Sequence, residues 1–359
     1  MPKRTVIPFG PQHPVLPEPI HLDLVLEDEK VIEALPSIGY IHRGLEKLVE
    51  KREFPEYVYV IERTCGICSY IHGLSYCQAI EGVMNVDVPE RALFLRTIGS
   101  EYSRLHSHLL ILGCLADGMG FESLFMGLWK IRERIVDRME KSLGGRVIQG
   151  TCKIGGVRKD MDGEMFEEMR KELDEVDREM KEITNVLIKD DSVKTRMKGI
   201  GVISKKDAYE LGAVGPTARG SGVPLDMRMR GYAAYGKINF EPVLESAGDC
   251  YARTAVRVKE LFASSDIIRQ CIKKIPDGPI ETKLLGNPNG EYASRVEQPR
   301  GEAVHYAKGD GTRFLQRFRV RTPTFTNIPP LVHMMKGCEL ADVPVIILSI
   351  DPCISCTER

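Results

Sequence analysis

The chain has 359 residues, of which 43% are hydrophobic and 28% charged, and its formal net charge is -1 at pH 7. Charges in such balance give no electrostatic reason for a nucleic-acid partner, and the longest apolar runs are far shorter than the ~20 residues that cross a bilayer. The N-terminus lacks the apolar core of a signal peptide. We therefore expect a cytoplasmic protein whose ten cysteines are reduced, so that clustered ones are better suited to metals than to disulfides.

The first half of the chain predicts a strand region followed by helices. Five prolines between residues 8 and 19 exclude a helix there. Apolar residues alternate in His21–Leu26, which predicts a half-buried strand. A helical region is expected from about His42, with the first cysteine pair inside it. A long, deeply buried helix is expected over Arg91–Leu115.

The clearest helical periodicity lies in Glu164–Lys189, where apolar residues recur at alternating three- and four-residue steps. A coiled-coil surface for a partner and one antiparallel helix of a bundle both fit this pattern. The stripe covers only about three heptads, so we favour the bundle. The glycine-rich segment Ser192–Glu241 predicts loops without a phosphate-binding pattern. Another helix is expected over Ala247–Lys274, and loops and short strands after it.

Together these patterns predict a mainly α (α+β) fold, with a central bundle of long helices and smaller α/β elements near the termini. We expect a single domain over residues 1–359. Its parts would be an N-terminal strand region at 1–40, a mainly helical bundle at 41–275, and a C-terminal loop and strand region at 276–359.

Two Cys-X-X-Cys pairs, Cys65/Cys68 and Cys353/Cys356, stand almost the whole chain apart. Four thiolates select soft metals, namely zinc, nickel or an iron–sulfur cluster. Zinc ribbons bring their pairs within ~15–20 residues, so that the metal staples a small fold. A chain of this size needs no such staple, so we favour a chemical role for a site that joins its two ends. Spacing alone leaves the iron–sulfur cluster open.

The residues around these cysteines carry a resemblance to a known family. Arg63–His72 and Asp351–Arg359 resemble the RxCGxCxxxH and DPCxxCxxR signatures of nickel–iron hydrogenase large subunits, and Gly10–Pro14 resembles their GPxHP opening. Further segments that resemble shared ones are Glu101–Leu105, Arg219–Gly222, Gly248–Arg253 and Leu340–Val343. The terminal Arg359 resembles the energy-converting, membrane-associated (Ech-type) group, which is homologous to the quinone-site 49 kDa subunit of respiratory complex I.

The resemblance implies that Cys65, Cys68, Cys353 and Cys356 bind nickel. Cys68 and Cys356 would bridge it to an iron with cyanide and carbonyl ligands, Fe(CN)2(CO). Hydrogen would be split at an open position of the nickel. Cys65 and Cys353 are therefore counted among the catalytic residues.

Five further residues have a site role, and three of them also have a plainer alternative. Arg300 resembles the arginine that lies over the metals, although most arginines form surface ion pairs. Pro323 and Thr324 belong to a segment that resembles the loop that hydrogen-bonds a cyanide. Glu18 stands where hydrogenases have a proton-transferring glutamate, and a solvated carboxylate is the alternative. His72 would direct a hydrogen bond to the metal centre, or simply be a structural histidine.

Two departures from the family pattern affect these expectations. Glu46 resembles a glutamate that can bind a magnesium or iron ion near the C-terminus, where many hydrogenases add a terminal histidine. Arg359 stands there instead, so an ion pair between Glu46 and an arginine is the alternative. Pro17 occupies the place of a quinone-cavity histidine of complex I, and the cysteines that complex I lacks are present. Both facts argue against a quinone reductase.

The predicted reaction is reversible reduction of protons to H2. Electrons would come from ferredoxin through an iron–sulfur small subunit, because the chain has no further cysteine set for an iron–sulfur cluster of its own. The resemblance implies a complex with further hydrophilic and integral-membrane subunits that pump ions, peripheral on the inner face of the cell membrane. The alternatives are a metal-free quinone-site subunit of a complex I-type dehydrogenase, and a binding module in which zinc closes the two cysteine turns.

Overall fold

The computed structural model describes residues 4–359, which form helices and three small antiparallel sheets. In chain order the elements are β1 (Arg4–Phe9), β2 (His21–Glu27), β3 (Lys30–Ser37), α1 (Leu45–Leu48), α2 (Tyr57–Glu62), α3 (Ser69–Met84), α4 (Glu90–Gly118), α5 (Glu122–Leu143), β4 (Cys152–Lys153), β5 (Gly156–Val157), α6 (Gly163–Lys189), α7 (Asp191–Met197), α8 (Lys205–Glu210), α9 (Gly215–Arg219), α10 (Cys250–Lys274), β6 (Asn289–Gln298), β7 (Gly301–Asp310), β8 (Leu315–Arg321), α11 (Pro323–Met335), α12 (Val343–Ser349) and α13 (Ile354–Glu358). Short 3-10 turns lie at Met227–Arg230, Tyr235–Lys237 and Leu340–Asp342.

The long helix α4 lies at the centre of the bundle, packed against α5, α10 and α12. It is buried around most of its circumference, as its sequence predicts. Helix α6 buries one stripe, which includes Met169, Leu173 and Val176, against α5 and α10. Charged residues occupy its other face, as expected of an amphipathic helix on the outside of a bundle. The prediction of a mainly helical fold is confirmed, and the periodic segment is one helix of that bundle.

Two three-stranded antiparallel sheets flank the bundle, with orders β1-β2-β3 and β6-β7-β8. In β2 every second side chain is buried, as the alternating pattern predicts. The second sheet packs through β6 and β7 against α3, and this contact brings the end of β6 close to the start of that helix. The remaining sheet is the short pair β4-β5.

Two regions differ from the sequence prediction. The C-terminal region contains helices α11, α12 and α13 beside its strands, and the apolar run at 343–350 is mostly helix. Periodicity cannot separate a short buried strand from a buried helical turn, which is why the tail was misjudged. The segment predicted as loops at 192–241 contains α7, α8 and α9 between its turns.

The first cysteine pair also lies differently from the prediction, which placed it inside a helix. Cys65 lies in the turn between α2 and α3, and Cys68 is the N-cap residue of α3. Within residues 4–359 we find no helix with the length and apolar character that a bilayer span requires.

Candidate metal centre

The two cysteine turns are built alike, each at the start of a helix. Cys353 is the N-cap residue of α13, and its sulfur accepts a hydrogen bond from the Cys356 amide at 3.4 Å. The Cys65 sulfur accepts from the Cys68 amide at 3.3 Å. In both turns the backbone N–H of the second cysteine therefore points at the first sulfur, which favours its thiolate form.

The fold brings the four cysteines into one buried cluster, separate from the main apolar core. The sulfurs of Cys65 and Cys353 lie 3.4 Å apart, and those of Cys68 and Cys356 lie 3.8 Å apart. Two sulfurs bound to one ion by ~2.3 Å bonds can be at most about 4.6 Å apart, so either pair could share an ion. The sulfurs of Cys65, Cys68 and Cys356 all lie within 4.8 Å of one another.

The buried sulfurs cannot all carry a negative charge without a cation. Hydrogen bonds from the other three cysteines hold the pKa of Cys65 well below its usual range. Burial raises the pKa of Cys68 and of Cys356 well above theirs. A bound metal ion would supply the positive charge that allows all four buried sulfurs to be thiolates.

Arg300 is the cationic side chain at this cluster, and it is only 3% exposed. Its Nε donates to the Asp351 carbonyl at 2.8 Å, and its Nη2 lies 2.8 Å from the Asp351 carboxylate. Its Nη1 lies 3.9 Å from the Cys68 sulfur. The alternative of a surface ion pair is therefore wrong, because this arginine is buried beside the cysteines.

The start of helix α11 supports the second cysteine turn. Thr324 accepts a hydrogen bond from the Cys353 amide at 3.1 Å, and Thr322 donates to the Cys356 carbonyl at 3.0 Å. Pro323 is buried in the first turn of the helix. The Thr324 hydroxyl hydrogen is still available to a ligand at the centre, since its oxygen acts only as an acceptor in that contact.

His72 also points at the centre, from the first turn of α3. Its Nε2 lies 3.4 Å from the Cys356 sulfur, and its Nδ1 lies 3.2 Å from Nε2 of His305. Burial lowers the pKa of His72 to about 4, so the ring is neutral at pH 7. His305 belongs to β7, and its place beside His72 was not predicted.

Gln298, the last residue of β6, is a second missed residue. The Cys68 thiol donates to its side-chain oxygen at 3.6 Å, and the amide nitrogen has no hydrogen-bond partner within residues 4–359. His305 belongs to no motif with recognisable spacing, and only the packing of β7 on α3 brings it to the cysteines. Gln298 lies two residues before Arg300 in the sequence, and this nearness to an expected site residue was the one local signal for it.

Glu18 lies on the other side of the centre, half-buried beside the second cysteine turn. Its carboxylate accepts from the Ser355 amide and from the Ser355 hydroxyl, both at 2.8 Å. One of its oxygens lies 3.9 Å from the Cys353 sulfur. The carboxylate is therefore held between a candidate metal ligand and the outer part of the protein.

Comparison with known proteins agrees with this geometry. The model of the respiratory-chain NADH dehydrogenase 49 Kd subunit family matches residues 118–286 and 282–359, and that of nickel-dependent hydrogenases matches residues 43–115. The carbon monoxide-induced hydrogenase of Rhodospirillum rubrum is 39% identical over 356 residues, which cover 98% of this chain and 99% of that protein. The chain belongs to the family of hydrogenase large subunits and complex I 49 Kd subunits.

Two further proteins match this chain over nearly its whole length. The membrane-bound hydrogenase subunit alpha of Pyrococcus furiosus is 38% identical over 374 residues, which cover 98% of this chain and 87% of that protein. A solved chain from the membrane-bound sulfane sulfur reductase, an archaeal respiratory membrane complex, superposes with a TM-score of 0.94 at 30% identity. The match covers 99% of this chain and 98% of that one.

The predicted third metal at Glu46 does not fit the residues around it. The Glu46 carboxylate accepts from Arg319 at 2.5 Å, from Arg359 at 2.9 Å and from the Val320 amide at 2.8 Å. Burial raises the pKa of Glu46, but these three donors outweigh it and lower the pKa overall. Two guanidinium groups occupy the place where a divalent cation would bind, so the structure fits the alternative of an ion pair.

Proposed function

We propose that this chain is the catalytic large subunit of an energy-converting nickel–iron hydrogenase, which reversibly reduces protons to H2. The observation that carries the proposal is the cluster of four buried sulfurs, in two crossed pairs with 3.4 and 3.8 Å separations. Four thiolates without carboxylate oxygen among them form a soft donor set, which suits nickel better than magnesium or calcium. The relatives named as hydrogenases match over nearly the whole chain.

The residues around the sulfurs fit a nickel–iron group with diatomic ligands. Cys65 and Cys353 would bind nickel, while Cys68 and Cys356 would be shared with the iron of an Fe(CN)2(CO) unit. When bound, this group supplies the site at which hydrogen is split or formed. Cyanide and carbonyl need hydrogen-bond donors from the protein, and the unpaired amide of Gln298 is a buried donor without a partner within residues 4–359.

In this proposal Glu18 takes the proton that leaves the Cys353 sulfur. The two donors from Ser355 hold its carboxylate 3.9 Å from that sulfur. We expect Glu18→Gln to slow exchange between H2 and solvent deuterium in the assembled complex, because an amide cannot accept and release the proton. Nickel content should remain at the wild-type level, whereas its loss would mean that Glu18 only supports the turn.

The proposed partners follow from what the chain lacks. Within residues 4–359, potential metal ligands come together in a group at the cysteine pairs. A separate iron–sulfur small subunit would therefore carry electrons from ferredoxin. Further hydrophilic and integral-membrane subunits would hold the chain at the inner face of the cell membrane. The names of the Pyrococcus relative and of the solved complex, both membrane-bound, support this assembly.

A second candidate is a metal-free quinone-site subunit of a complex I-type dehydrogenase. It is favoured by the 49 Kd subunit model, which covers most of the chain. The four clustered cysteines count against it, because a quinone site has no need of them. A binding module closed by zinc is the third candidate.

One experiment separates the three candidates. The complex is purified without oxygen from its native host, and its nickel, iron and zinc contents are measured beside an infrared spectrum. We expect nickel and iron together, with bands from carbonyl and cyanide. Zinc alone would favour the binding module, and an active complex without nickel or these bands would favour the complex I-type subunit. Either result would overturn the proposal.

A further inference from the structure

Two buried histidines form a hydrogen-bonded chain that ends at the Cys356 sulfur. His72 Nε2 lies 3.4 Å from that sulfur, and His72 Nδ1 lies 3.2 Å from His305 Nε2. The two rings stack with centroids 5.3 Å apart and an interplanar angle of 21°. Both side chains are completely buried. The chain of contacts therefore reaches from a candidate bridging sulfur to the second sheet.

The hydrogen-bonded chain of the two histidines ends at Nδ1 of His305. Nδ1 of His305 is buried without a hydrogen bond within residues 4–359, and the ring of Phe318 packs edge-on against His305 at 5.5 Å. Within residues 4–359 neither ring forms an ion pair with a carboxylate, and burial disfavours charge on both rings. Each neutral ring then has one N–H donor and one lone-pair acceptor, so the position of one hydrogen fixes the next.

The sulfur decides where these hydrogens lie. A metal-bound thiolate can only accept, so His72 must carry its hydrogen on Nε2. His72 Nδ1 is then an acceptor, and His305 must donate to it from Nε2. The remaining lone pair on His305 Nδ1 accepts no hydrogen bond within residues 4–359. The reverse order would leave a buried N–H of His305 unpaired and direct a lone pair of His72 at a negatively charged sulfur, and both effects are unfavourable.

We propose that His305 is a positioning residue that donates to Nδ1 of His72, holds that ring against the Cys356 sulfur and so maintains the hydrogen bond on the sulfur. The role in hydrogen chemistry rests on the proposed function, whereas the tautomer requires only a thiolate at Cys356. A hydrogen bond withdraws electron density from a metal-bound sulfur and thereby raises the reduction potential of the metal. His305 would therefore tune the centre without touching it.

The first test uses the full chain loaded with zinc, which is diamagnetic and fixes the cysteines as thiolates. Nitrogen-15 NMR of labelled histidines reports which ring nitrogen of His72 carries the hydrogen and which hydrogen bonds the two nitrogens make. We expect the Nε2–H form in every variant, with Nδ1 hydrogen-bonded in the wild type and in His305→Gln, whose amide can still donate. His305→Leu should shift the Nδ1 resonance to that of an unbonded lone pair and move the Nε2–H proton to lower frequency, because the ring is no longer held against the sulfur. His305→Phe replaces it should the leucine variant not take up zinc. An unmoved Nε2–H proton in a zinc-loaded variant without the donor would overturn the proposal.

The second test uses the matured complex. Loss of the hydrogen bond leaves more electron density at the metals, so the carbonyl band of His305→Leu should shift to lower frequency at unchanged nickel content. The shift should be reversed in His305→Gln. Phe318→Leu removes packing from the same ring but no hydrogen bond, so its band should stay in place. An unshifted band in His305→Leu would contradict the role, whereas missing bands in every variant would count against the hydrogenase, and the zinc test would still stand.

Discussion

The last two residues of strand β6 face two different buried environments. Glu297 joins a charged cluster in which each ion has a counter-ion. Gln298 faces the cysteines, and its amide nitrogen has no hydrogen-bond partner within residues 4–359. The charged cluster consists of Glu101, Arg104, Arg219, Asp226, Arg228, Glu260 and Glu297. Buried charges that are paired stabilise one arrangement of the chain, whereas unpaired polar atoms are available to a ligand. The comparison separates groups that hold the fold from groups that serve the site.

Arg104 links the two environments. It donates to the Glu297 carbonyl at 2.8 Å and to the Gln298 carbonyl at 3.2 Å, and its own charge faces Glu101 at 3.2 Å. The charged cluster thus fixes the end of β6 through the backbone. The side-chain amide of Gln298 takes no part in this contact and stays available for other hydrogen bonds. We expect changes in the charged cluster to alter stability first and changes at the cysteines to alter chemistry first.

The largest effect is expected for Cys68→Ser. A serine oxygen is a hard, weakly acidic ligand in place of a soft thiolate, so nickel binding should be lost and hydrogen uptake and evolution abolished. The stability of the fold should change little, because the site is separate from the apolar core. Nickel content, hydrogen turnover with a redox dye and chemical denaturation check the three expectations.

Cys77→Ser is the matched control for this variant. Cys77 lies on the same helix, α3, and is equally buried, but it belongs to the apolar core. The buried hydroxyl should cost roughly 1–3 kcal/mol of stability, while nickel content remains at the wild-type level. Hydrogen turnover retained by Cys68→Ser, or lost in a folded Cys77→Ser, would contradict the separation of the two regions.

The next effect is expected for Arg219→Ala in the charged cluster. The Arg219 guanidinium donates to Glu260 at 2.9 Å and to Glu297 at 2.7 Å, and it lies 3.3 Å from the Asp226 carboxylate. Its removal takes a counter-ion away from these three buried carboxylates, so the free energy of unfolding should fall by about 3–5 kcal/mol. Denaturation with urea measures the loss, and failure to accumulate folded protein would be its extreme form.

Arg146→Ala provides the comparison at the surface. Arg146 also lies close to three acidic side chains, but its side chain is 36% exposed to solvent. Water and salt screen such contacts, so little stability should be lost. Equal losses in Arg146→Ala and Arg219→Ala would mean that burial does not set the strength of the charged cluster.

A smaller effect concerns pH, and it compares two buried glutamates. Burial raises the pKa of Glu62 to about 7, since within residues 4–359 its carboxylate accepts only from the Gly150 amide, at 3.1 Å. The folded state therefore keeps a proton that the unfolded chain releases near pH 4.5, and stability declines as the pH rises from there through about 7. In Glu62→Gln this decline should be smaller, by up to about 3 kcal/mol between pH 5 and pH 8.

Glu101 should behave in the opposite way. Burial would raise its pKa, but Arg104 and Arg228 outweigh burial and lower it. Glu101 is ionised in both states above pH 5, so Glu101→Gln should lose stability by the same amount at pH 5 and pH 8. Urea denaturation at the two pH values checks both variants. A parallel pH dependence of Glu62→Gln and the wild type would show that Glu62 is not the titrating group.

The same contrast explains how much could be predicted from the sequence. The cysteines, Glu18 and Thr324 belong to short motifs, so their roles could be expected before the fold was known. His305 and Gln298 reach the centre only because a distant sheet packs on α3. The spacing of apolar residues along the chain does not indicate such packing. In the short apolar run at 343–349 it also cannot separate a buried strand from a helix.

The smallest effect is expected at the pair of Glu46 and Arg359, which belongs neither to the charged cluster nor to the four cysteines. Because guanidinium groups already saturate the Glu46 carboxylate, magnesium chloride should raise the melting temperature of the wild-type chain no more than sodium chloride of equal ionic strength. Arg359→Ala should cost about 1 kcal/mol, as partly exposed ion pairs do. It should not create a magnesium site, because Arg319 remains beside the carboxylate. A saturable, magnesium-specific stabilisation of the wild type would show instead that the arginine side chains give way and that this corner binds a cation.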